Sequence, residues 1–158
     1  MLRKTKEHKI DRLRRLPLFT ACSDAEMRSL ASVMDEVEVA PGAVLAREGR
    51  LMREFIVLAG GRAAAWSEGK QVDLLTFGER IGDTELITGE TASVTVIAET
   101  PCKLVVTDAR RFYALIEQTP SVARHLLKDH ALRSRHANDR AFGKVVALPA
   151  LRLRPVTA

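Results

Sequence analysis

The sequence predicts a mainly β domain: an antiparallel β-roll of jelly-roll type with helices at both ends. Three observations carry this. Short β-rich segments recur between residues 37 and 106, punctuated by Gly and Pro turn signals. The segments on either side switch to helical spacing, with apolar residues three and four apart. No stretch is apolar for about 18 residues, so no transmembrane helix is expected. At 158 residues one core is expected, burying about 68–70% of the surface that the unfolded chain exposes.

The elements follow in order. N-terminal helices are expected over about residues 5–34. Ser23 with Glu26 forms a capping-box pair, which starts a helix at Asp24. Met27, Leu30 and Ala31 then fall on one face. The roll is expected over about residues 36–107. Its strands are drawn from VEVAPGAVLA, FIVLAGG, AAAWSEGKQVDLL, SVTVIAE and KLVVTD. Ser67-Glu68-Gly69-Lys70 lies between two apolar stretches and reads as a hairpin loop. C-terminal helices are expected over about residues 108–140, with Phe112, Leu115 and Ile116 on one face and a break at Pro120. Residues 141–158 contain Pro149 and Pro155 and read as an extended tail, with strands at 145–148 and 151–154 that pack back or add to another protein's sheet edge.

Residues 77–100, FGERIGDTELITGETASVTVIAET, resemble the phosphate-binding cassette of the cyclic-nucleotide-binding domain family, a catabolite-activator-like β-roll. The family pattern is F-G-E, an aliphatic, a small residue, two aliphatics, a short turn, then R-[ST]-A-x-[VA]. Gly82 keeps its place, Leu86 and Ile87 supply the aliphatic pair, and Thr88-Gly89-Glu90 makes the turn. Asp83 stands where Glu is usual, Glu85 where the small residue belongs, and Ala92 where the phosphate-binding Arg belongs. The resemblance extends in order through Pro17-Leu18-Phe19, Pro41-Gly42, Glu48-Gly49, the run from Phe55 to Leu58, Gly60, Thr95-Val96, Ala98, Asp108 to Phe112, and Pro120. It implies a ligand pocket at Gly82, Asp83, Thr84, Glu85, Ala92 and Ser93, degenerate in its charged positions.

The missing charge has a size. A cyclic phosphate is an anion held by a guanidinium fork, backbone N–H groups and a helix N-terminus. Losing the charged partner of such a desolvated pair costs about 2–5 kcal/mol. A carboxylate about 5 Å away, at an effective dielectric near 20, adds roughly 3 kcal/mol of repulsion. Together these are about 6 kcal/mol, or roughly ten-thousandfold in affinity. Arg80 restores part of this only if its side chain folds back into the site. The expectation is therefore no cofactor, with a variant pocket that binds cAMP or cGMP as the alternative. A cationic or neutral polar ligand for the carboxylate-bearing pocket stays open.

Charge is unevenly placed: residues 1–20 carry +5, residues 21–120 carry −6 and residues 121–158 carry +6. Basic helices resting on an acidic roll, or contact with an anionic partner, both produce this pattern. Phe142 is the only aromatic near the end of the last helix, and specific nucleic-acid recognition is not supported. In bacterial transcription factors of the family the long helix leads into a helix-turn-helix domain; residues 141–158 are too short for one. The expected function is a non-catalytic regulatory or interaction module that works as a subunit or accessory regulator. Its partner contacts would be the basic N-terminus, the last helix and the tail. In the family that helix makes a dimer, so a homodimer through it is a further expectation.

An enzyme is not expected. All four histidines, His8, His125, His130 and His136, lie outside the roll, which excludes a metal cupin. No nucleophile elbow, phosphate loop or Cys-x-x-Cys pair occurs. Asp83 and Glu85 lack a base-orienting His to act as a catalytic pair. Cys22 and Cys102 read as reduced thiols in a cytoplasmic protein.

Overall fold

Eight strands form two four-stranded sheets, antiparallel throughout, in a computed structural model that describes residues 2–143. The strands expected at 145–148 and 151–154 lie outside the described residues. The first sheet runs β1 (Asp35–Val39), β8 (Cys102–Asp108), β3 (Glu54–Gly60), β6 (Arg80–Ile81). The second runs β2 (Val44–Ala46), β7 (Thr95–Ala98), β4 (Ala63–Ser67), β5 (Lys70–Leu75). The expected β-roll is present. The single segment VEVAPGAVLA divides between the two sheets, turning at Pro41-Gly42, where Gly42 adopts φ 90°.

Alternation sets the faces. Ile56 and Leu58 of β3 and Leu104 of β8 point between the sheets, where they meet Ala63, Ala65 and Val96. Phe55 and Val57 are fully buried as well, on the opposite face. The Phe55 ring lies 4.8 Å, centroid to centroid, from Phe112 of α4 (Ala109–Gln118). The alanine run 63–65, a helix-former by propensity, is a strand because β5 and β7 pair on both sides of it. Glu68 (φ 50°) and Gly69 (φ 76°) make the expected two-residue hairpin between β4 and β5.

Helices close the outer face of the first sheet. They are α1 (Leu2–Arg14), a 3-10 turn at Pro17–Phe19, α2 (Asp24–Val33), and α4, which packs on β3 and β8. Met27, Leu30 and Ala31 are buried as their spacing predicts. Part of the N-terminal positive charge is neutralised within the fold. Both oxygens of Glu36 accept from Arg12 at 2.6 Å, Arg14 pairs with Asp24, and Lys9 Nζ donates to the Ala31 carbonyl at 2.7 Å. The Arg12 bonds hold the Glu36 carboxyl below its ordinary range.

Glu26 does two jobs. It completes the capping box of α2 with Ser23. Its oxygens also accept from Ser121 N (3.0 Å) and Ser121 Oγ (2.8 Å), at the start of α5 (Pro120–Gly143). The Ser23 N–H bond, with the Ser121 bonds behind it, outweighs desolvation and lowers the Glu26 carboxyl to about 2. A depressed carboxyl stabilises above its unfolded value near 4.5 and loses that contribution as pH falls towards 2. Because the group is partly exposed, solvent screening limits the effect, and Glu26→Gln is expected to lower stability at neutral pH by about 1–2 kcal/mol. Urea melts of parent and variant should converge as the pH is lowered to about 2. A gap that persists unchanged at that pH would remove the carboxylate from the explanation.

The chain divides into two units, 1–123 and 124–158, the boundary falling inside α5. In the second unit Leu127 is 71% and Leu132 43% exposed, and residues 131–138 are all exposed. His125 Nε2 lies 3.6 Å from Asp129 Oδ2, one turn along. Among the described residues no helix is long and apolar enough to cross a membrane. Cys22 and Cys102 are both free and buried. Burial, with the Glu26 charge second, pushes the Cys22 thiol up to about 11, leaving it almost wholly protonated at neutral pH.

Candidate functional site

The cassette begins where β6 ends. Gly82, at φ 94°, caps the six-residue helix α3 (Asp83–Thr88). A Cβ at Gly82 would lie 2.6 Å from the Glu54 carbonyl oxygen and 3.0 Å from Met52 Cε, so both the torsion and the space require glycine. Gly89, at φ 76°, ends α3, its N–H donating to the Glu85 carbonyl at 2.8 Å. The first turn of α3 therefore places Asp83, Thr84 and Glu85 together. Tyr113 of α4 donates its hydroxyl to the Leu86 carbonyl, tying the cassette helix to the helix that follows the roll.

Charges in this turn are arranged against an anion. Arg80 folds onto the first turn of the cassette helix, where a carboxylate takes its guanidinium. Its Nε lies 3.2 Å from Asp83 Oδ2, in a pair whose side chains are 6% and 4% exposed. The guanidinium is engaged by the carboxylate three residues on. Glu85 is half-buried, and none of the ion pairs among the described residues involves it.

Ala92 and Ser93 leave the cassette on different sides of the surface. Ala92 is 4% exposed and belongs to the inter-sheet core, with Met52 and Val94 packed against that core. Ser93 is exposed. The backbone of Ala92 is held at both ends: its N–H donates to the Arg50 carbonyl and its carbonyl accepts from Gly49 N–H, each at 2.8 Å. The structure thus brings Gly82, Asp83, Thr84 and Glu85 onto one helical turn, sets the Ala92 methyl into the core, and leaves the Ser93 side chain at the surface. Sequence reading missed the Arg80–Asp83 pair and β6 itself. Two residues are too few for a periodicity signal, although an Arg and an Asp three apart astride a helix start is a pattern that could have suggested the pair.

A β-roll capped by helices, with a glycine-started short helix between β6 and β7, is the architecture that the comparisons address. The family model for the cyclic nucleotide-binding domain matches residues 36–119. The chain belongs to that family. A search of curated proteins finds no match. Among solved structures, cAMP-bound PfPKA-R is similar with a TM-score of 0.74 at 20% identity, over 89% of this chain and 49% of that one. The Thermus thermophilus catabolite activator protein gives 0.71 at 24% identity, over 79% of this chain and 61% of that one. The third is a Trypanosoma brucei regulatory subunit of a cAMP-independent protein kinase A, with a TM-score of 0.71 at 19% identity, over 80% of this chain and 47% of that one. It is a mutant bound to cAMP in its A site, carrying Glu to Ala and, seven positions later, Thr to Arg, with Val to Ala next to it. The chain spans about half the length of the two regulatory subunits. These likenesses are to the fold.

Proposed function

We propose that the protein is a non-catalytic regulatory module of the cyclic nucleotide-binding domain family whose cassette does not hold a cyclic nucleotide, and which acts through protein contacts as a subunit or accessory regulator. The observation that carries this is Ala92: a methyl group, 4% exposed, at the position where the family pattern has a phosphate-binding Arg. Glu85 adds a carboxylate where the pattern has a small residue, and Arg80 is engaged by Asp83. Glu85 and Ala92 are seven positions apart, the separation between the Glu and Thr replaced in the trypanosomal mutant, a regulatory subunit of a kinase called cAMP-independent. That parallel supports reading the two positions together. The exposed Leu127 and Leu132 on α5 support contact through the last helix, with a second copy or another protein.

Thermal melts of the full chain with cAMP and cGMP, raised to millimolar at fixed salt, test the reading. A ligand at about 100 times its dissociation constant stabilises by roughly 2.7 kcal/mol, a shift of a few degrees at this size. The expected curve is flat. A saturable rise would establish the alternative, a nucleotide sensor with a variant pocket.

A further inference from the structure

The loop between β2 and β3, R-E-G-R-L-M-R over residues 47–53, carries three arginines and one glutamate. Arg50 and Arg53 are exposed, and among the described residues neither takes part in an ion pair. Elsewhere in the first unit Arg12, Arg14, Arg62, Arg80 and Arg111 each have a carboxylate partner, whereas Arg15, Arg28, Arg47 and Arg110 are exposed and in no ion pair among the described residues. The nearby acids bond to groups other than these two arginines. Glu48 accepts from Ser67 Oγ and Glu68 N, Glu90 from the Thr88 hydroxyl, and Asp108 from Arg111 N. Glu54, next in sequence to Arg53, is exposed.

These two guanidiniums flank an apolar knob. Leu51 is 67% exposed, and with Gly49, Arg50, Arg53 and Thr91 it lines a surface hollow of about 410 Å³. The loop is held in shape from several sides. Gly49 and Arg50 pair with Ala92, Leu51 bridges Thr91, Glu48 N donates to Thr95 Oγ1 at 3.0 Å, and the Arg53 carbonyl accepts from Ala109 N at 2.9 Å. A pre-ordered surface loses little freedom on binding. Arg around an apolar centre is also a composition that protein interfaces favour.

The geometry points to a docking site here for an acidic segment of a partner protein, its carboxylates meeting Arg50 and Arg53 and an apolar side chain packing on Leu51. This rests on the interaction-module reading and gives it a surface. Charge complementarity selects the occupant: Arg50 and Arg53, with Arg47 in the same loop, are exposed guanidiniums that take part in no ion pair among the described residues, and they suit carboxylates. The site is also joined to the cassette, since the Arg50 carbonyl accepts the Ala92 N–H. An occupant that shifts the loop would be felt first at the position where the family pattern has its phosphate-binding Arg.

The probe is an acetylated, amidated Glu-Glu-Leu-Glu-Glu peptide, titrated into the isotope-labelled full chain and followed by amide NMR. Shifts should centre on Gly49, Arg50, Leu51 and Thr91. Binding should weaken several-fold as salt rises from about 0.05 to about 0.3 M. The double variant R50E/R53E should bind at least about tenfold more weakly. Its amide spectrum reports whether the loop's backbone pairing survives. R133E/R135E, on the exposed part of α5, should bind like the parent, and the Gln-Gln-Leu-Gln-Gln peptide should not bind. No binding by the acidic peptide, shifts centred elsewhere, or equal loss in the R133E/R135E variant would overturn the site. Such a failure would leave the nucleotide melts untouched, whereas a nucleotide-induced shift would sink the module reading whatever the peptide does.

Discussion

Restoring the missing charge should create cyclic-nucleotide affinity. The Glu85→Ala/Ala92→Arg variant is expected to bind cAMP roughly ten-thousandfold more tightly than the parent, the product of about 3 kcal/mol of repulsion removed and a similar ion-pair gain. The gain comes with a cost in the unliganded fold. Ala92 is 4% exposed in the inter-sheet core, and enlarging a packed position costs typically about 1–3 kcal/mol. The variant should therefore melt below the parent without ligand and recover with it. Calorimetric titration of both proteins separates the terms. A variant that folds but gains nothing would show that the cassette backbone, and not its charges, excludes the phosphate.

The second large effect lies beneath the cassette. Asp83→Ala removes one partner of a pair that is 6% and 4% exposed, and breaking a buried pair in this way typically costs about 3–5 kcal/mol. Replacing both partners by apolar residues, Arg80→Met with Asp83→Leu, should cost much less, because no charge remains in a dry site. Denaturant melts of Arg80→Met, Asp83→Leu and the double of the two give the coupling directly. Additive losses would mean that the two side chains do not depend on each other, and Arg80 would again be a candidate for reaching a ligand.

Much of the roll was legible because its turns need particular residues. Gly82 and Gly89 sit at positive φ at the two ends of α3, and Glu68-Gly69 makes the hairpin. The Ser23–Glu26 box started α2 where it was expected, since both partners lie within four residues of each other. What could not be read depended on contacts between segments distant in sequence. Glu26 bonds Ser121, 95 residues away, and no local pattern announces it. β6 has two residues and exists only because β3 is beside it. The substitution at Ala92 was visible at once; that its methyl joins the core depends on both sheets being in place.

The candidate site was legible as a departure from a pattern, which identifies an absent charge more readily than the groups that take over its surroundings. Asp83 illustrates this. In the sequence it is a conservative change within a binding motif, and in the fold it is the partner of Arg80. The cationic loop at 47–53 was counted within a segment of net −6, and averaging over a hundred residues hid it. What marks Arg50 and Arg53 is their place on either side of the exposed Leu51, around one surface hollow.

The most direct measurement of the central claim is an amide NMR spectrum of the full chain with and without about 1 mM cAMP, enough to occupy most of a site that binds in the micromolar range. With Ala92 closed into the core and the Glu85 carboxylate in the first turn of α3, the amides of Gly82, Thr84, Glu85, Ala92 and Ser93 should keep their positions. Saturable shifts at those five amides would contradict the account, because they would place the nucleotide in the cassette despite the lost arginine.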